Sequence, residues 1–323
     1  MRQKVIKEIL AAIQSSQSFF LTSHINPDGD SIACETAMAL FLERLGKKKY
    51  VIANRDGVPE IYKFLPKAGR IIKTSRVKGY FDVALILDAS DQERSGNIID
   101  LKKQAGKVIV IDHHLSAVPF GDLNYLDRES ASCAEQVYNL IMAKFGEVTK
   151  AEAISIYAGI VTETNKFQEA NTNPAALRTA ALLVEAGVIP TAICKQIYEQ
   201  NCLEQIKLLG EVLSGVELKL GGKVAALTVT RKILRETGAT LEHCEGTINF
   251  ARSIKGVRVA VLFREQDDGF KISLRSKDDT NVNQVAVKFG GGGHQRAAGF
   301  FLRGSGAAVR KKVLAEIKTI LNK

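Results

Sequence analysis

Histidine and aspartate side chains follow three strand-like segments in the first half of the chain. In chain order they are His24, Asp28, Asp30, Asp88, Asp112, His113 and His114. Ligands of an open α/β sheet bind outside the carboxyl ends of its strands, so we expect these groups to meet in one crevice. Carboxylate with imidazole suits Mn²⁺ or Mg²⁺, and two such ions about 3.5–4 Å apart usually share a bridging carboxylate. The pattern therefore predicts a site for a pair of divalent cations.

Each of these residues has an ordinary structural explanation when it is taken alone. His24 or Asp30 would cap the helix that we expect to begin at Ser31, because aspartate is common at helix N-caps. Asp88 would be a turn residue, and the two adjacent histidines would be one core and one surface residue. This explanation weakens for the whole set, since three of the five histidines lie at two strand ends beside aspartates.

A glycine-rich segment near the C-terminus is the second candidate site. Its residues are Gly290, Gly291, Gly292, Gly293 and His294. Glycines leave the backbone N–H groups free to approach a phosphate closely, and a histidine or arginine at the end of the loop can contact a phosphate or a base. A flexible linker is the alternative, but apolar residues on both sides, at 282–289 and 297–302, indicate packed flanks. We therefore favour a binding loop.

The elements that must position these residues alternate along the first half of the chain. The predicted strands are 18–23, 49–53, 83–87 and 107–111. The predicted helices are 2–15, 31–45, 132–145 and 153–160. This order predicts an α/β fold with a mainly parallel sheet and helices on both faces.

The second half has a different pattern. Residues 175–186 and 193–213 are expected to form two helices, the second of them the longer. Strands are predicted at 223–230, 257–264 and 269–275, with helices at 241–251 and 306–321. We expect three parts: a catalytic domain at 1–190, a helical linker or hinge at 191–215, and a smaller α/β domain at 216–323.

Composition narrows the function classes. The chain has 323 residues and a net charge of +10, which favours a polyanionic partner, although a charge that only aids solubility is the alternative. The sequence has no basic stripe rich in aromatic residues, so an extended platform for single-stranded nucleic acid is not expected. The five cysteines are scattered without C-x-x-C spacing, so neither a disulfide framework nor a zinc site is expected. We expect a cytoplasmic protein without a membrane segment.

The order of these motifs resembles the DHH phosphoesterase superfamily with its DHH-associated C-terminal domain, over about residues 19–301. The resemblance rests on the Asp112-His113-His114 triplet, on the metal-ligand residue types before it, and on the Gly290–Phe300 segment. The residues before the triplet are His24, Asp28, Asp30 and Asp88. Within the superfamily, the length and the two domains are most similar to the nanoRNase and 3′-phosphoadenosine-5′-phosphate phosphatase group.

The resemblance implies a role for each site residue. Two Mn²⁺ ions, or Mg²⁺ or another divalent cation, would be coordinated with Asp88 as the bridge. Their implied ligands are His24, Asp28, Asp30, Asp88, His113 and Glu163. His114 would face the scissile phosphate, and Asp112 would orient the histidines. The implied substrate-binding residues are Arg94, Arg275, Gly290, Gly291, Gly292, Gly293 and His294.

One position departs from the family pattern. The family usually has Asp-Thr-Gly where this chain has Glu163, Thr164 and Asn165. Glu163 keeps the charge but adds a methylene, which moves the carboxylate by roughly a bond length, and small misplacements at a reacting centre are costly. Asn165 tolerates the unusual backbone angles of the glycine that it replaces. We expect Glu163 still to bind metal.

The implied activity is hydrolysis of short oligoribonucleotides, of 3′-phosphoadenosine 5′-phosphate, or of both, by a metal-bound hydroxide. A homodimer is expected from the resemblance alone. Three alternatives stay open. They are a phosphodiesterase for linear or cyclic signalling dinucleotides or a related pyrophosphatase, a nucleotide-binding protein with weakened catalysis, and an α/β protein whose His/Asp clusters are incidental.

Overall fold

The computed structural model describes residues 2–322, which divide into two compact units. The first unit ends at Gln200 and the second begins at Asn201. Each unit contains one six-stranded sheet and its own apolar cores. The α/β fold class expected from the sequence is confirmed.

The elements of the first unit begin with an N-terminal helix and alternate from there. Its strands are β1 Ser18–Thr22, β2 Lys49–Asn54, β3 Ile71–Lys73, β4 Phe81–Leu87, β5 Ala105–Asp112 and β6 Leu123–Leu126. Its helices are α1 Arg2–Ser15, α2 Gly29–Arg44, α3 Leu101–Gln104, α4 Cys133–Phe145, α5 Lys150–Glu163, α6 Pro174–Glu185 and α7 Pro190–Tyr198. Single turns of 3₁₀ helix lie at Glu60–Tyr62 and Ala68–Arg70.

The first sheet is parallel throughout. Its strand order is β3-β2-β1-β4-β5-β6, so the direction of winding reverses between β1 and β4. A crevice opens at such a switch point, outside the carboxyl ends of the two strands. The strands are apolar on both faces because both faces are covered, as a parallel sheet requires.

The two faces of this sheet are covered differently. Residues such as Phe19, Leu85 and Ile111 face the long helices α1, α2, α4 and α5 in one continuous core. Residues such as Phe20 and Ile86 face a smaller core on the other side. That second core is closed by the segment from Ala89 to Leu101, which leads into the short helix α3.

The second unit contains a mixed sheet of order β11-β12-β10-β9-β8-β7, in which only β8 and β9 run parallel. Its strands are β7 Glu217–Lys219, β8 Val224–Val229, β9 Val259–Glu265, β10 Gly269–Ser276, β11 Gly292–His294 and β12 Ala297–Arg303. Its helices are α8 Leu203–Ser214, α9 Arg231–Thr237, α10 Thr247–Ser253, α11 Asn283–Lys288 and α12 Gly306–Leu321, with a 3₁₀ turn at Glu242–Cys244.

Two helix predictions were wrong in their continuity. The helix expected over 193–213 is broken between Tyr198 and Leu203. The break has a packing reason, because Ile197 belongs to the core of the first unit and Leu208 to a core of the second. The helix expected near 241–251 is interrupted at Gly246, whose φ of +77° is left-handed and does not continue an α-helix.

Among residues 2–322, no single helix is long and apolar enough to cross a membrane. The helices Pro174–Glu185 and Pro190–Tyr198 together pass the length and composition test, with a bend of 109° between them.

Candidate metal site and its surroundings

Strand register brings the three motifs of the first unit to one level. Thr22 of β1 pairs with Ile86 of β4, which in turn pairs with Val110 of β5. Two residues beyond each of these positions stand His24, Asp88 and Asp112. The groups predicted from spacing therefore meet at the carboxyl ends of neighbouring strands, beside the switch point of the sheet.

Asp88 is the centre of this cluster. It is buried, with a φ of +55° that is uncommon for a residue other than glycine, and its N–H donates to the carbonyl of Ile111 at 2.9 Å. Its Oδ2 accepts a hydrogen bond from the Ser31 hydroxyl at 2.8 Å. The two carboxylate oxygens face two different groups of side chains, and strained backbone of this kind is concentrated at functional sites.

The first group contains His24, Asp28 and Asp88. The His24 Nε2 atom lies 3.7 Å from Asp28 Oδ2 and 3.6 Å from Asp88 Oδ2. The Nδ1 atom of His24 lies 2.8 Å from the carbonyl oxygen of Ile25, an acceptor that requires the proton on Nδ1. In the neutral ring Nε2 then keeps its lone pair and faces the carboxylates, as in a histidine that binds metal. Without a metal, and against the effect of burial, the contact to Asp28 and the charge of Asp88 raise the pKa of His24.

Asp28, not Asp30 or His24, caps helix α2. Its Oδ1 accepts from the N–H groups of Asp30 and Ser31, which starts the helix at Gly29 rather than at Ser31 as expected. Its Oδ2 stays directed at His24. One carboxylate thus fixes the start of the helix and contributes an oxygen to the first group.

The second group contains Asp30, His113 and Glu163, together with the other oxygen of Asp88. The Nε2 atom of His113 lies 3.8 Å from Asp30 Oδ2 and 3.7 Å from both Asp88 Oδ1 and Glu163 Oε1. The orientation of the Asp30 carboxylate is fixed by α4. At the start of that helix the backbone N–H of Cys133 donates to Asp30 Oδ2, and the N–H of Ala134 donates to Oδ1.

Buried polar atoms in this cluster have unfilled hydrogen-bonding capacity. His113 Nε2 and Asp88 Oδ1 have no hydrogen-bond partner among the described residues. Orphaned buried groups are costly, and separations of 3.6–3.8 Å are too long for hydrogen bonds but suit donors around a common cation. The donor set of carboxylates and imidazoles therefore fits divalent cations on both sides of Asp88.

Electrostatics support the same conclusion. Burial, and then the charges of Asp88 and Glu163, raise the pKa of Asp30 well above its usual range. Burial, followed by the charge of Asp28, also raises the pKa of Asp88 and brings that of Glu163 to about 8. Carboxylates held this close repel one another, and a divalent cation between them would relieve that repulsion.

The histidines next to the cluster are in different protonation environments. Burial lowers the pKa of His113, which keeps the ring neutral and able to bind metal. Burial alone would also lower the pKa of His114, but the hydrogen bond to Asp112 and the charge of Asp88 raise it to about 9. The Nδ1 atom of His114 lies 2.7 Å from Asp112 Oδ1. In the absence of metal this raised pKa favours the protonated ring of His114, which is partly exposed beside Asp88.

Glu163 lies within the cluster despite its longer side chain. It is the last residue of α5, and after Thr164 the chain turns through Asn165, Lys166 and Phe167, all with positive φ. Asn165 has a φ of +46°, a conformation that asparagine tolerates better than most residues. This left-handed turn ends the helix where Glu163 meets His113.

Arg94 is connected to the site through the backbone. Its carbonyl accepts the N–H of Ile25 at 2.7 Å, next to His24, and its own N–H donates to Asp91 Oδ1. Its guanidinium makes no hydrogen bond or ion pair within residues 2–322. The structure thus places Arg94 beside the loop that carries His24.

The glycine segment of the second unit is only partly a loop. The N–H groups of Gly290 and Gly291 donate to the carbonyls of Val287 and Ala286 and so close the end of α11. Gly292–His294 forms the edge strand β11, paired with β12. The amides of Gly290 and Gly291 are therefore occupied within the helix end and are not available to a phosphate. Edge-strand geometry leaves the backbone of Gly292 and Gly293 accessible on one side.

Arg275 lies in a basic cluster that the sequence analysis missed. Burial, then the charges of Arg252 and Arg264, lower its pKa. The three arginines are far apart in sequence, on α10, β9 and β10, so only the sheet brings them together. Ser31 was also missed as a partner of Asp88, although it directly follows Asp30 and was visible as the expected start of a helix.

Comparison with known proteins identifies the class that this fold and site define. The model of the DHH family, N-terminal domain, matches residues 18–161, and the model of the DHHA1 domain matches residues 221–323. The chain belongs to the DHH family, and the resemblance stated from the sequence is confirmed.

The similarity to particular relatives extends over nearly the whole chain. The bifunctional oligoribonuclease and PAP phosphatase NrnA of Thermus thermophilus is 31% identical over 303 residues, covering 94% of this chain and 89% of that protein. The protein of the same name from Bacillus subtilis is 29% identical over 320 residues, covering 97% of both.

Solved structures share the fold. The crystal structure of an exopolyphosphatase-related protein from Bacteroides fragilis has a TM-score of 0.92 and 26% identity, and covers 99% of this chain and 98% of that one. RecJ of Thermus thermophilus, solved in complex with Mn²⁺, has a TM-score of 0.52 and 14% identity, covering 98% of this chain and 54% of RecJ. The RecJ similarity shows the fold alone.

Proposed function

We propose that this chain is a metal-dependent phosphoesterase that hydrolyses short oligoribonucleotides and 3′-phosphoadenosine 5′-phosphate. The observation that carries the proposal is the position of Asp88, whose two oxygens face two separate groups of metal-binding side chains. Two-metal sites of this kind are typical of phosphoryl hydrolysis. The activities named for the NrnA relatives support the choice of substrates.

The residues divide into two ligand sets that share Asp88. His24 and Asp28 would hold one cation with Asp88 Oδ2. Asp30, His113 and Glu163 would hold the other with Asp88 Oδ1. When bound, such ions supply Lewis acidity that lowers the pKa of water and neutralises charge on phosphoryl oxygens. We propose Mn²⁺ as the resident ion, because mixed carboxylate and imidazole ligands suit it.

His114 would contact the phosphate rather than a metal. Against the effect of burial, the hydrogen bond to Asp112 and the charge of Asp88 raise its pKa to about 9 in the metal-free site, which favours an imidazolium that can donate a charge-assisted hydrogen bond to a phosphate oxygen. Asp112 holds the ring through the 2.7 Å contact at Nδ1 and leaves Nε2 for the substrate. Asp112 is thus a positioning residue, and it stabilises the charge of His114.

Further residues would bind the rest of the substrate. Arg94, next to His24 in the first unit, has a guanidinium without a partner among residues 2–322. In the second unit, Arg275 carries positive charge, and the edge strand Gly292–His294 offers accessible backbone and the His294 imidazole, which suit a phosphate. The hinge role of residues 191–215, the homodimer and a cytoplasmic location stay predictions.

The test is hydrolysis of 5′-labelled RNAs of two to twenty-four nucleotides, and of 3′-phosphoadenosine 5′-phosphate, with Mn²⁺ and with chelator. We expect Mn²⁺-dependent cleavage that is strongest for two- to five-mers. Preference for long single strands would overturn the short-substrate assignment. Mn²⁺ binding without turnover of any substrate, signalling dinucleotides included, would favour the weakened binding protein.

A further inference from the structure

The side chain of Asn171 joins two segments that carry the second group of ligands. Its Nδ2 donates to the carbonyl of Glu163 at 3.2 Å and to the carbonyl of Ala131 at 2.9 Å. Both partners are acceptors, so the NH₂ end of the amide must face them. One amide thus connects the end of α5 with the loop at residues 127–132, which leads into α4.

At α5, the hydrogen bond from Asn171 completes the end of the helix. The last carbonyls of an α-helix have no partner within the helix itself. Those of the three residues before Glu163 accept backbone N–H groups from the turn at residues 164–166. The carbonyl of Glu163 is the next one, and its donor is the Asn171 side chain. The residue whose carboxylate faces His113 is therefore held at its own backbone by this amide.

The loop that accepts the other hydrogen bond holds the two remaining ligands of the second group. The backbone of Ser130 accepts a hydrogen bond from the His113 ring, and the N–H of Cys133 donates to Asp30 Oδ2 at 2.7 Å. Ala131 lies between these two contacts in the chain, so a shift of its peptide group would disturb both. The amide therefore acts on every ligand of the second group except the shared aspartate.

The first group of ligands is held by other segments. The His24 ring contacts the carbonyl of Ile25, and Asp28 accepts the N–H groups at the start of α2. Among the described residues, the hydrogen bonds of Asn171 reach neither of these segments. A change at Asn171 should therefore affect one of the two cation sites and leave the other unchanged.

We propose that Asn171 is a positioning residue for one of the two cations, because it fixes the backbone of Glu163 relative to the loop that holds His113 and Asp30. The inference rests on the two-metal site of the proposed function. The Oδ1 atom of Asn171 is buried without a hydrogen-bond partner in the described part of the chain, which costs stability. A residue that breaks a rule of stable packing in this way is expected at a functional site.

The test is a calorimetric titration of the full, metal-free chain with Mn²⁺. Asn171→Asp keeps the shape of the side chain but turns a carboxylate oxygen towards two carbonyls that need donors. We expect Mn²⁺ binding to weaken by about 10- to 100-fold at one site and to stay unchanged at the other. Unchanged affinity at both sites, or equal weakening of both, would overturn the proposal.

The matched control is Asn173→Asp. Asn173 donates to the carbonyl of Glu129 in the same loop but does not contact Glu163. Its Oδ1 caps α6, a role that aspartate fills equally well. Mn²⁺ should bind Asn173→Asp as it binds the parent chain, and a loss equal to that of Asn171→Asp would contradict a specific role for Asn171.

Asn171→Ala removes both hydrogen bonds without adding charge, and it replaces Asn171→Asp if circular dichroism shows that the latter does not fold. We expect it to weaken the same site about tenfold. In a Glu163→Gln background the loss should be smaller, because the two residues act through one another, and additive losses would overturn the assignment. A parent chain that binds no Mn²⁺ would overturn the two-metal site together with this inference. Two ions bound equally by the parent and by both Asn171 variants would overturn this inference alone.

Discussion

Gly159 of α5 and Asp30 of α2 are in such close contact that a Cβ atom at position 159 would lie 2.8 Å from Asp30 Oδ1. The same Cβ would lie 2.5 Å from Cβ of Ala134 on α4. The helices α2, α4 and α5 therefore meet at a position that only glycine fits. This close packing lets the first turn of α4 donate its N–H groups to Asp30.

Gly159→Ala should consequently damage both stability and the metal site. Overpacking of a close-packed core costs about 1–3 kcal/mol, and here the backbone of α4 must move away from Asp30. We expect a lower unfolding free energy in urea and weaker Mn²⁺ binding by calorimetry. The control is Gly210→Ala in helix α8, where a Cβ meets nothing within 4 Å and alanine should stabilise the helix. Similar effects of both changes would contradict this account.

Asp88→Asn should lower the hydrolytic activity but raise the stability of the metal-free protein. Loss of the shared carboxylate is expected to reduce Mn²⁺-dependent hydrolysis by more than about 100-fold, the upper end of what outer-shell partners of metals cost. In chelator, the melting temperature should instead rise by about 2–4 °C, because burial raises the pKa of Asp88 and its charge destabilises the metal-free fold. Asparagine also tolerates the φ of +55°.

The matched control for that variant is Asp100→Asn, at the N-cap of α3, since asparagine caps a helix as well as aspartate does. Circular dichroism checks the fold of both variants. Retained hydrolysis in Asp88→Asn would contradict the assignment of the two-metal site.

The spacing of residues in the sequence was sufficient to predict the positions of those candidate ligands that directly follow a strand. β4 and β5 are uninterrupted apolar runs, so the positions of Asp88 and His113 at their ends could be predicted. The short edge strands β3 and β7, three residues each, are too brief to give a periodic signal. They lie at sheet margins, and the site does not depend on them.

Contacts between distant segments could not be predicted from spacing. The backbone amides that hold Asp30 come from α4, more than a hundred residues later, and carry no side-chain signal. The break between α7 and α8 was missed for a related reason, because both helices have apolar faces of similar spacing but pack into different cores. The periodicity of apolar residues indicates that one face of a helix is buried. It does not indicate which other elements that face packs against.

Changes at Glu163 test whether the longer side chain works as a ligand. Glu163→Gln removes the charge and should weaken Mn²⁺ binding at one of two sites by about 10- to 100-fold in calorimetry. Glu163→Asp withdraws the carboxylate by about a bond length from His113 and should slow hydrolysis about tenfold. The control is Glu60→Gln, an exposed glutamate paired with Lys63. Hydrolysis gained by Glu163→Asp from an inactive parent would favour the weakened binding protein.

Substitutions at two neighbouring glycines of the second unit should distinguish a packing role from a role in phosphate binding. A Cβ at Gly291 would lie 2.3 Å from the carbonyl oxygen of Gly299, whereas one at Gly292 meets nothing within 4 Å. Gly291→Ala should destabilise the second unit by about 1–3 kcal/mol in denaturant melts. Gly292→Ala should leave the fold intact and raise KM for short RNA with little change in kcat. Unaltered KM in Gly292→Ala would argue against phosphate binding at this segment.

Glu35 of α2 should give the protein a pH-dependent stability. The carboxyl is fully buried, which raises its pKa to about 7 despite the hydrogen bond from Asn54. A raised folded-state pKa contributes stability that is present below the unfolded value near 4.5 and is lost as the pH rises through about 7. Relative to Glu35→Gln, the parent chain should therefore lose up to roughly 3 kcal/mol between pH 4.5 and 7.5. Urea melts of both proteins in chelator across that range, with Glu60→Gln as the exposed control, measure the difference. Parallel pH curves for the parent and Glu35→Gln would show that the buried carboxyl does not titrate in this range.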